Sequence, residues 1–188
     1  AVRDLRDLLG ARYLPVEKAE KKTYLQERLE GRQVARLHYF LTPNDEWGCG
    51  LELTSGARFI TWATEDLGGA RFRYRLMIRW IPPQKIVTRA MLTHFGNERK
   101  YALKKEEEAD ALQSRVEGRW IIGAAPIYEP NPAGGEVIVL ELRGGERLKI
   151  EALPAKNVRG RPYIRADMNV EWLEAPSKTI SMPGIVLP

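Results

Sequence analysis

Between Asp66 and Glu98 the chain carries no acidic residue, while Arg71, Arg73, Arg75, Arg79, Lys85 and Arg89 all fall in that interval. Within Arg71–Trp80 the letters alternate, with arginines at 71, 73, 75 and 79 against Phe72, Tyr74, Leu76, Ile78 and Trp80. An alternation of period two predicts a β-strand with one apolar face and one cationic face. Side chains two apart on a strand stand roughly 6.6 Å from each other. Guanidinium groups in such a row repel one another unless anions or carboxylates balance them. The fold must therefore bury one face of this strand and find counter-charge for the other.

The rest of the chain reads as further short strands with a few helices. Apolar residues at 2, 5, 8 and 9 predict a short amphipathic helix within 2–13. A second helix is expected from Pro15 to Glu30, with Glu17 and Lys21 paired at i,i+4 and Leu25 and Leu29 forming a thin apolar stripe. So thin a stripe suggests packing at an edge or against a partner, with Glu20-Lys21-Lys22 read as solvated charge. Gln33–Leu41 reads as a strand with Ala35, Leu37, Tyr39 and Leu41 on one side, a continued helix being the alternative. Thr42–Gly50 reads as a polar turn region. Strands then follow at Leu51–Thr54, Arg58–Thr64, Arg71–Ile81 and Lys85–Phe95, separated by Ser55-Gly56, Gly68-Gly69 and Pro82-Pro83. Lys100–Leu103 suggests one more short strand.

Lys105–Glu117 is predicted as a helix, with Glu106 to Glu108 in its first turn, Arg115 in its last and Gly118 as its stop. Ala109, Leu112 and Val116 make its apolar face. Strands resume at Trp120–Tyr128, Val137–Arg143, Arg147–Leu153 and Tyr163–Leu173, the middle pair joined by a Gly144-Gly145 hairpin turn. The expected fold is therefore α+β, mainly antiparallel sheet in two strand blocks separated by one helix. It comprises an N-terminal helical arm (1–31), a β-rich domain (32–174) and an extended, acid-free C-terminal arm (175–188).

Charge narrows the function classes. The net charge of +5 lies wholly in the first half of the chain, and arginine outnumbers lysine, which favours planar, bidentate contacts with phosphate or carboxylate. A single cysteine, Cys49, excludes an internal disulfide and a cysteine-based zinc site, and reads as a small buried or loop residue. His38 and His94 stand apart from any ligand set and read as edge or partly buried residues. No apolar run reaches membrane-spanning length, and Ala1-Val2-Arg3-Asp4 lacks the apolar core of a signal peptide. An intracellular protein is expected, in cytoplasm or an organelle matrix, with no membrane partner. No phosphate-binding loop, dinucleotide fingerprint, metalloprotease helix or serine-nucleophile elbow occurs. The acid-x-Lys runs Glu20-Lys21-Lys22 and Glu98-Arg99-Lys100 do not sit on strands as metal-nuclease chemistry requires. Neither catalysis nor a cofactor or metal is expected.

What remains is the arginine row. A second acid-free run, from Glu151 to Asp167, holds Lys156, Arg159, Arg161 and Arg165, with 156–161 suited to a basic loop. Together these two runs suggest a phosphate-tracking surface, with salt-sensitive affinity and little sequence reading. The alternative is that carboxylates such as Glu52 and Glu65 neutralise the row across the sheet. Because the aromatics of 71–80 face away from the arginines, Trp47 and Tyr163 are left as the candidates for stacking on bases.

Lys100-Tyr101-Ala102-Leu103 with Glu107 four residues later resembles the Whirly superfamily, which includes plant Whirly proteins and the kinetoplastid mitochondrial RNA-binding proteins. The order of a strand block, a helix and a second block containing Pro130-Asn131-Pro132-Ala133-Gly134-Gly135 is similar to theirs over residues 50–153. The Lys-Gly-Lys-Ala-Ala-Leu signature of the plant proteins is absent. The resemblance implies a tetrameric, sequence-tolerant binder of single-stranded nucleic acid and carries over no individual binding residue.

The expected function is non-catalytic binding of RNA or single-stranded DNA by a homo-oligomer or complex subunit. Arg71, Arg73, Arg75 and Arg79 would be central, with Lys85, Arg89, Lys156, Arg159, Arg161 and Arg165 at the margins. The alternative is a structural subunit of a ribonucleoprotein, organellar ribosome or capsid, its arms docked on neighbouring subunits.

Overall fold

The structure is a computed structural model that describes the backbone of residues 18–41, 47–66, 71–83, 99–156 and 162–176. It describes the side chains of these segments except at 18–20, 41, 99–106, 156 and 162–165. The helix expected within 2–13, the strand expected at Lys85–Phe95, His94 and most of the C-terminal arm lie outside the described residues. Two helices, α1 (Lys18–Leu29) and α2 (Arg99–Val116), accompany eight strands. These are β1 (Arg32–Leu41), β2 (Trp47–Leu53), β3 (Arg58–Glu65), β4 (Tyr74–Ile81), β5 (Trp120–Pro126), β6 (Val137–Leu142), β7 (Arg147–Lys156) and β8 (Pro162–Leu173). The expected α+β fold, mainly antiparallel with a helix between two strand blocks, is what the chain adopts.

One sheet runs β4-β3-β2-β1-β5-β6-β7-β8, and its named strand pairs are antiparallel. The β1–β5 junction is narrow, pairing only Arg32 with Ile121 and Gln33 with Trp120. On either side lie two four-stranded meanders that face each other, β3 lying against β7 and β8, β2 against β8, and β4 against β7. Their inner faces form the core. Leu37, Leu51, Phe59 and Trp80 make one cross-strand row, and Leu140, Leu148 and Met168 lie opposite, all buried.

Local departures from the expected elements have local causes. β2 begins at Trp47, inside the region read as a turn, because its glycines make room for rings. Gly48 stands opposite Phe40 and Gly50 opposite His38. A Cβ on Gly48 would lie 2.6 Å from Phe40 Cε2 and closer still to Cζ, and one on Gly50 2.6 Å from His38 Nε2. The rings cover the glycine backbone across the strand, a pairing that short turn signals do not reveal. In β1 a bulge between Val34 and Arg36 buries Val34 and Leu37 and leaves Ala35 half-buried. Helix α2 serves that bulge: Gln113 Nε2 donates to Ala35 O at 3.3 Å, and Leu37 N donates to Gln113 Oε1 at 2.6 Å.

Helix α2 starts at Arg99, so Lys100–Leu103 is helical and not a strand, and Glu106 to Glu108 fall mid-helix instead of in the first turn. Two apolar letters two apart fit either period, and the lysine, alanine and leucine around them favour helix. Ala109, Leu112 and Val116 bury one face against the core, as their spacing requires.

Helix α1 is the larger correction. It was expected at an edge or on a partner, yet Leu25 and Leu29 are fully buried in the main core and the helix packs on β5. Each such leucine contributes about 1.5–3 kcal/mol of burial. Lys21, read as solvated charge, is 5% exposed and paired with Glu136, itself 4% exposed.

Cys49 points into the core between Tyr39 and Thr61, and burial pushes its thiol up to about 12. It is an inert core residue, not a nucleophile. In the unfolded chain the thiol ionises near its ordinary value of 9.0. Above that value the unfolded state therefore holds fewer protons than the folded one, and stability falls as pH rises. Chemical denaturation at neutral pH and near pH 10.5 should show this loss, about 2 kcal/mol from the thiol. Cys49→Ala should remove that part of the slope. An unchanged slope in the variant would refute the assignment.

Candidate nucleic-acid interface

Strand registers assemble the outer face of the first meander. Arg36, Glu52, Arg58 and Ile81 form one cross-strand row, His38, Gly50, Ile60 and Arg79 the next, and Phe40, Gly48, Trp62 and Met77 the third, with Thr64 beside Arg75 beyond them. Three strands thus contribute arginines to one face. Phe40, Ile60 and Ile81 form a small apolar cluster on it, with Trp62 packed alongside. Burial lowers the pKa of His38, so the positive charge on this face near neutral pH comes from the arginines.

The expected alternation of 71–80 holds. Phe72, Tyr74, Leu76 and Trp80 are buried, Arg71 and Arg73 are exposed, and Arg75 and Arg79 are half-buried. The strand proper begins at Tyr74, so Arg71 and Arg73 sit on the segment leading into it. The row is partly neutralised. Arg75 Nη1 lies 3.2 Å from Asp66 Oδ2. Glu52, expected to neutralise the row, pairs with Arg58 on β3 at 3.5 Å, and Glu65 stands opposite Tyr74 in register. Arg71 Nη2 lies 3.5 Å from Glu129 in an exposed pair, a geometry that is worth little in water. Among the described residues no carboxylate pairs with Arg73.

The segment carrying Arg71 and Arg73 is fixed by a strap from the other meander. Arg73 N donates to Gly134 O at 2.8 Å, Glu136 N donates to Tyr74 O at 2.8 Å, and Tyr74 and Gly135 form a parallel bridge. Further along the same edge of β4, Leu76 N donates to the Glu136 carboxylate at 3.3 Å and Lys21 Nζ donates to Leu76 O at 3.0 Å. These contacts satisfy an otherwise open strand edge. Burial lowers the Lys21 ammonium to about 7, and Arg75 pushes the same way, against the attraction of Glu136 beside it.

The outer face of the second meander differs. There Lys149 stands 3.3 Å from Glu171 and 3.6 Å from Glu151, and Arg147 is opposite Glu141 in register. Asp167 alternates onto that side with Glu171. Among the described residues the cations on this face are matched by carboxylates, whereas register gathers Arg36, Arg58, Arg75 and Arg79 on the first meander's face with Glu52 and Asp66.

Of the remaining expected site residues, Lys85, Arg89, Arg159 and Arg161 lie outside the described residues. Lys156 and Arg165 lie on β7 and β8, with only their backbone described. Of the expected stacking candidates, Trp47 packs against the main core, and of Tyr163 only the backbone is described. Arg36, Arg58 and Trp62 were not expected on this face. Each is unremarkable in its own strand, and only register brings them onto one face with the arginines of β4.

Among the described residues no group of three or more His, Cys, Asp and Glu is placed to hold a metal, and no helix is long and apolar enough to cross a membrane. Comparison of the chain with protein-family models, with curated proteins and with solved structures finds no match.

Proposed function

We propose that this protein binds RNA or single-stranded DNA without catalysis, through phosphate contacts on the outer face of its first meander. The observation that carries the reading is the gathering of Arg36, Arg58, Arg75 and Arg79 on that face, with Arg71 and Arg73 at its rim, while the opposite meander balances its own charges. Planar guanidinium groups on a rigid sheet suit phosphate oxygens. The order of four strands, a long helix and four strands is also compatible with the Whirly-like resemblance, which points to the same ligand class. The structural-subunit alternative leaned partly on an N-terminal helix in need of a neighbour, and α1 finds its partners within the chain.

Arg71 and Arg73 are the positions at which to test the proposal, because they are exposed. Arg75 also holds Asp66, so reversing its charge confounds binding with folding. Anisotropy of a labelled oligothymidylate or oligouridylate should show affinity falling steeply between about 50 and 200 mM salt. Arg71→Gln and Arg73→Gln should each weaken binding and reduce the logarithmic salt slope by about 0.7 per phosphate contact removed. Unaltered affinity and slope in the Arg71→Glu/Arg73→Glu double variant would sink the reading.

A further inference from the structure

The connection from β5 to β6 brings an exposed aromatic ring to the rim of the arginine face. It leaves β5 still paired, Ile127 N donating to Val137 O at 2.8 Å, and returns as the strap that holds Arg73 and Tyr74. Tyr128 lies between these anchors and is 63% exposed, more than Trp120, Ile122 or Ile127. The Arg71 guanidinium carbon stands 4.9 Å from the centre of its ring. Glu129 next to it holds Arg71 in an exposed pair, which a phosphate can replace at little cost.

We infer that Tyr128 is a stacking platform for an unpaired nucleobase, with Arg71 and Arg73 holding the adjoining phosphates. The inference rests on the reading of the arginine face as a nucleic-acid surface, and it adds to that reading's phosphate contacts a base contact at a named residue. Every base offers a π-face to an aromatic ring, so the contact adds affinity without sequence preference. An intact duplex keeps its bases stacked within the helix and has none to present to Tyr128. Arg71 lies near both the ring and the expected path of the phosphates, so stacking and charge act at one place.

The test compares three ligands at one salt concentration: an oligothymidylate, an abasic oligomer of the same length that keeps the phosphates, and the corresponding duplex. The wild-type protein should bind the oligothymidylate at least about fivefold more tightly than the abasic oligomer. Tyr128→Ala should remove that difference without lowering thermal stability, and Tyr128→Phe should retain it. If oligothymidylate and abasic oligomer bind alike, or Tyr128→Ala binds oligothymidylate as wild type does, the stacking inference falls and phosphate tracking stands. Duplex bound as tightly as single strand overturns the stacking inference and the single-strand preference of the parent reading, and leaves only its phosphate contacts. If none of the three ligands binds with salt-dependent affinity, the parent reading falls and takes this inference with it.

Discussion

Lys21→Met is expected to destabilise the protein by about 3–5 kcal/mol, because it leaves the Glu136 carboxylate buried without its cation. Glu136→Leu should cost a similar amount, stranding the Lys21 ammonium and removing the acceptor for Leu76 N. The informative measurement is the double variant, followed by urea denaturation. If the pair were only two charges in a dry site, replacing both by apolar side chains would bring stability back to near wild type. Here the two side chains also cap β4, Lys21 serving Leu76 O and Glu136 serving Leu76 N. The double variant should therefore remain about 2 kcal/mol below wild type, the cost of buried backbone groups left without partners. Full recovery would show that the edge of β4 does not depend on them. The single Lys21→Met variant carries a second signature. The folded ammonium is held near 7 and the unfolded one titrates at 10.5, so between those values the unfolded state holds more protons. Wild-type stability therefore gains a rising component with pH across that window, and the variant should lose it.

Gly135→Ala is expected to be at least as damaging. A methyl at this position would overlap the Ala152 carbonyl oxygen on β7 and come within 2.9 Å of Asn131 Nδ2. The oxygen belongs to backbone in the middle of the sheet and cannot swing aside. Relief requires the 131–136 segment to lift from β7, breaking the bond from Ala152 N to Glu136 O at 3.0 Å and that from Asn131 Nδ2 to Ala152 O at 3.0 Å. The displaced segment carries Glu136, so the edge of β4 loses its cap in the same movement. A loss of about 3 kcal/mol or more is expected, at the upper end of overpacking effects. Gly134→Ala is the control for the neighbouring position. It meets Arg73 Cβ at an ordinary 3.5 Å, and its penalty comes from a φ of 82°, so its cost should be nearer 1 kcal/mol. Thermal unfolding of both variants would decide the matter, and equal costs would contradict the backbone-overlap argument.

Both variants strike the connection that positions Arg71, Arg73 and Tyr128. Loss of nucleic-acid binding in either would follow from loss of fold, which is why the binding tests use exposed positions. Little in the sequence marked this connection. Pro130–Gly135 reads as a turn, and a turn signal does not say that its backbone will bridge two meanders or that the following glutamate will be buried. The same holds for Lys21, whose neighbours Glu20 and Lys22 make it look like one charge among several on a polar helix. Its burial depends on contacts 55 residues away at Leu76 and 115 away at Glu136.

Periodicity by itself determined the cationic and apolar faces of Arg71–Trp80, the apolar face of α2, the hairpin at Gly144-Gly145 and the division into two strand blocks around a helix. These are one-dimensional properties, in which side-chain direction repeats along the chain with a period the letters display. Tertiary structure decided which strands join β4 in its sheet, and with them the arginines of β1 and β3, Trp62 on the same face, and the carboxylates Asp66 and Glu52 that pair with Arg75 and Arg58. It also decided that an aromatic ring accompanies the arginines after all, since Tyr128 arrives from the far meander. The reason is physical: charge balance and stacking depend on distances across a sheet and between sheets, and the register that sets those distances comes from packing of the whole core.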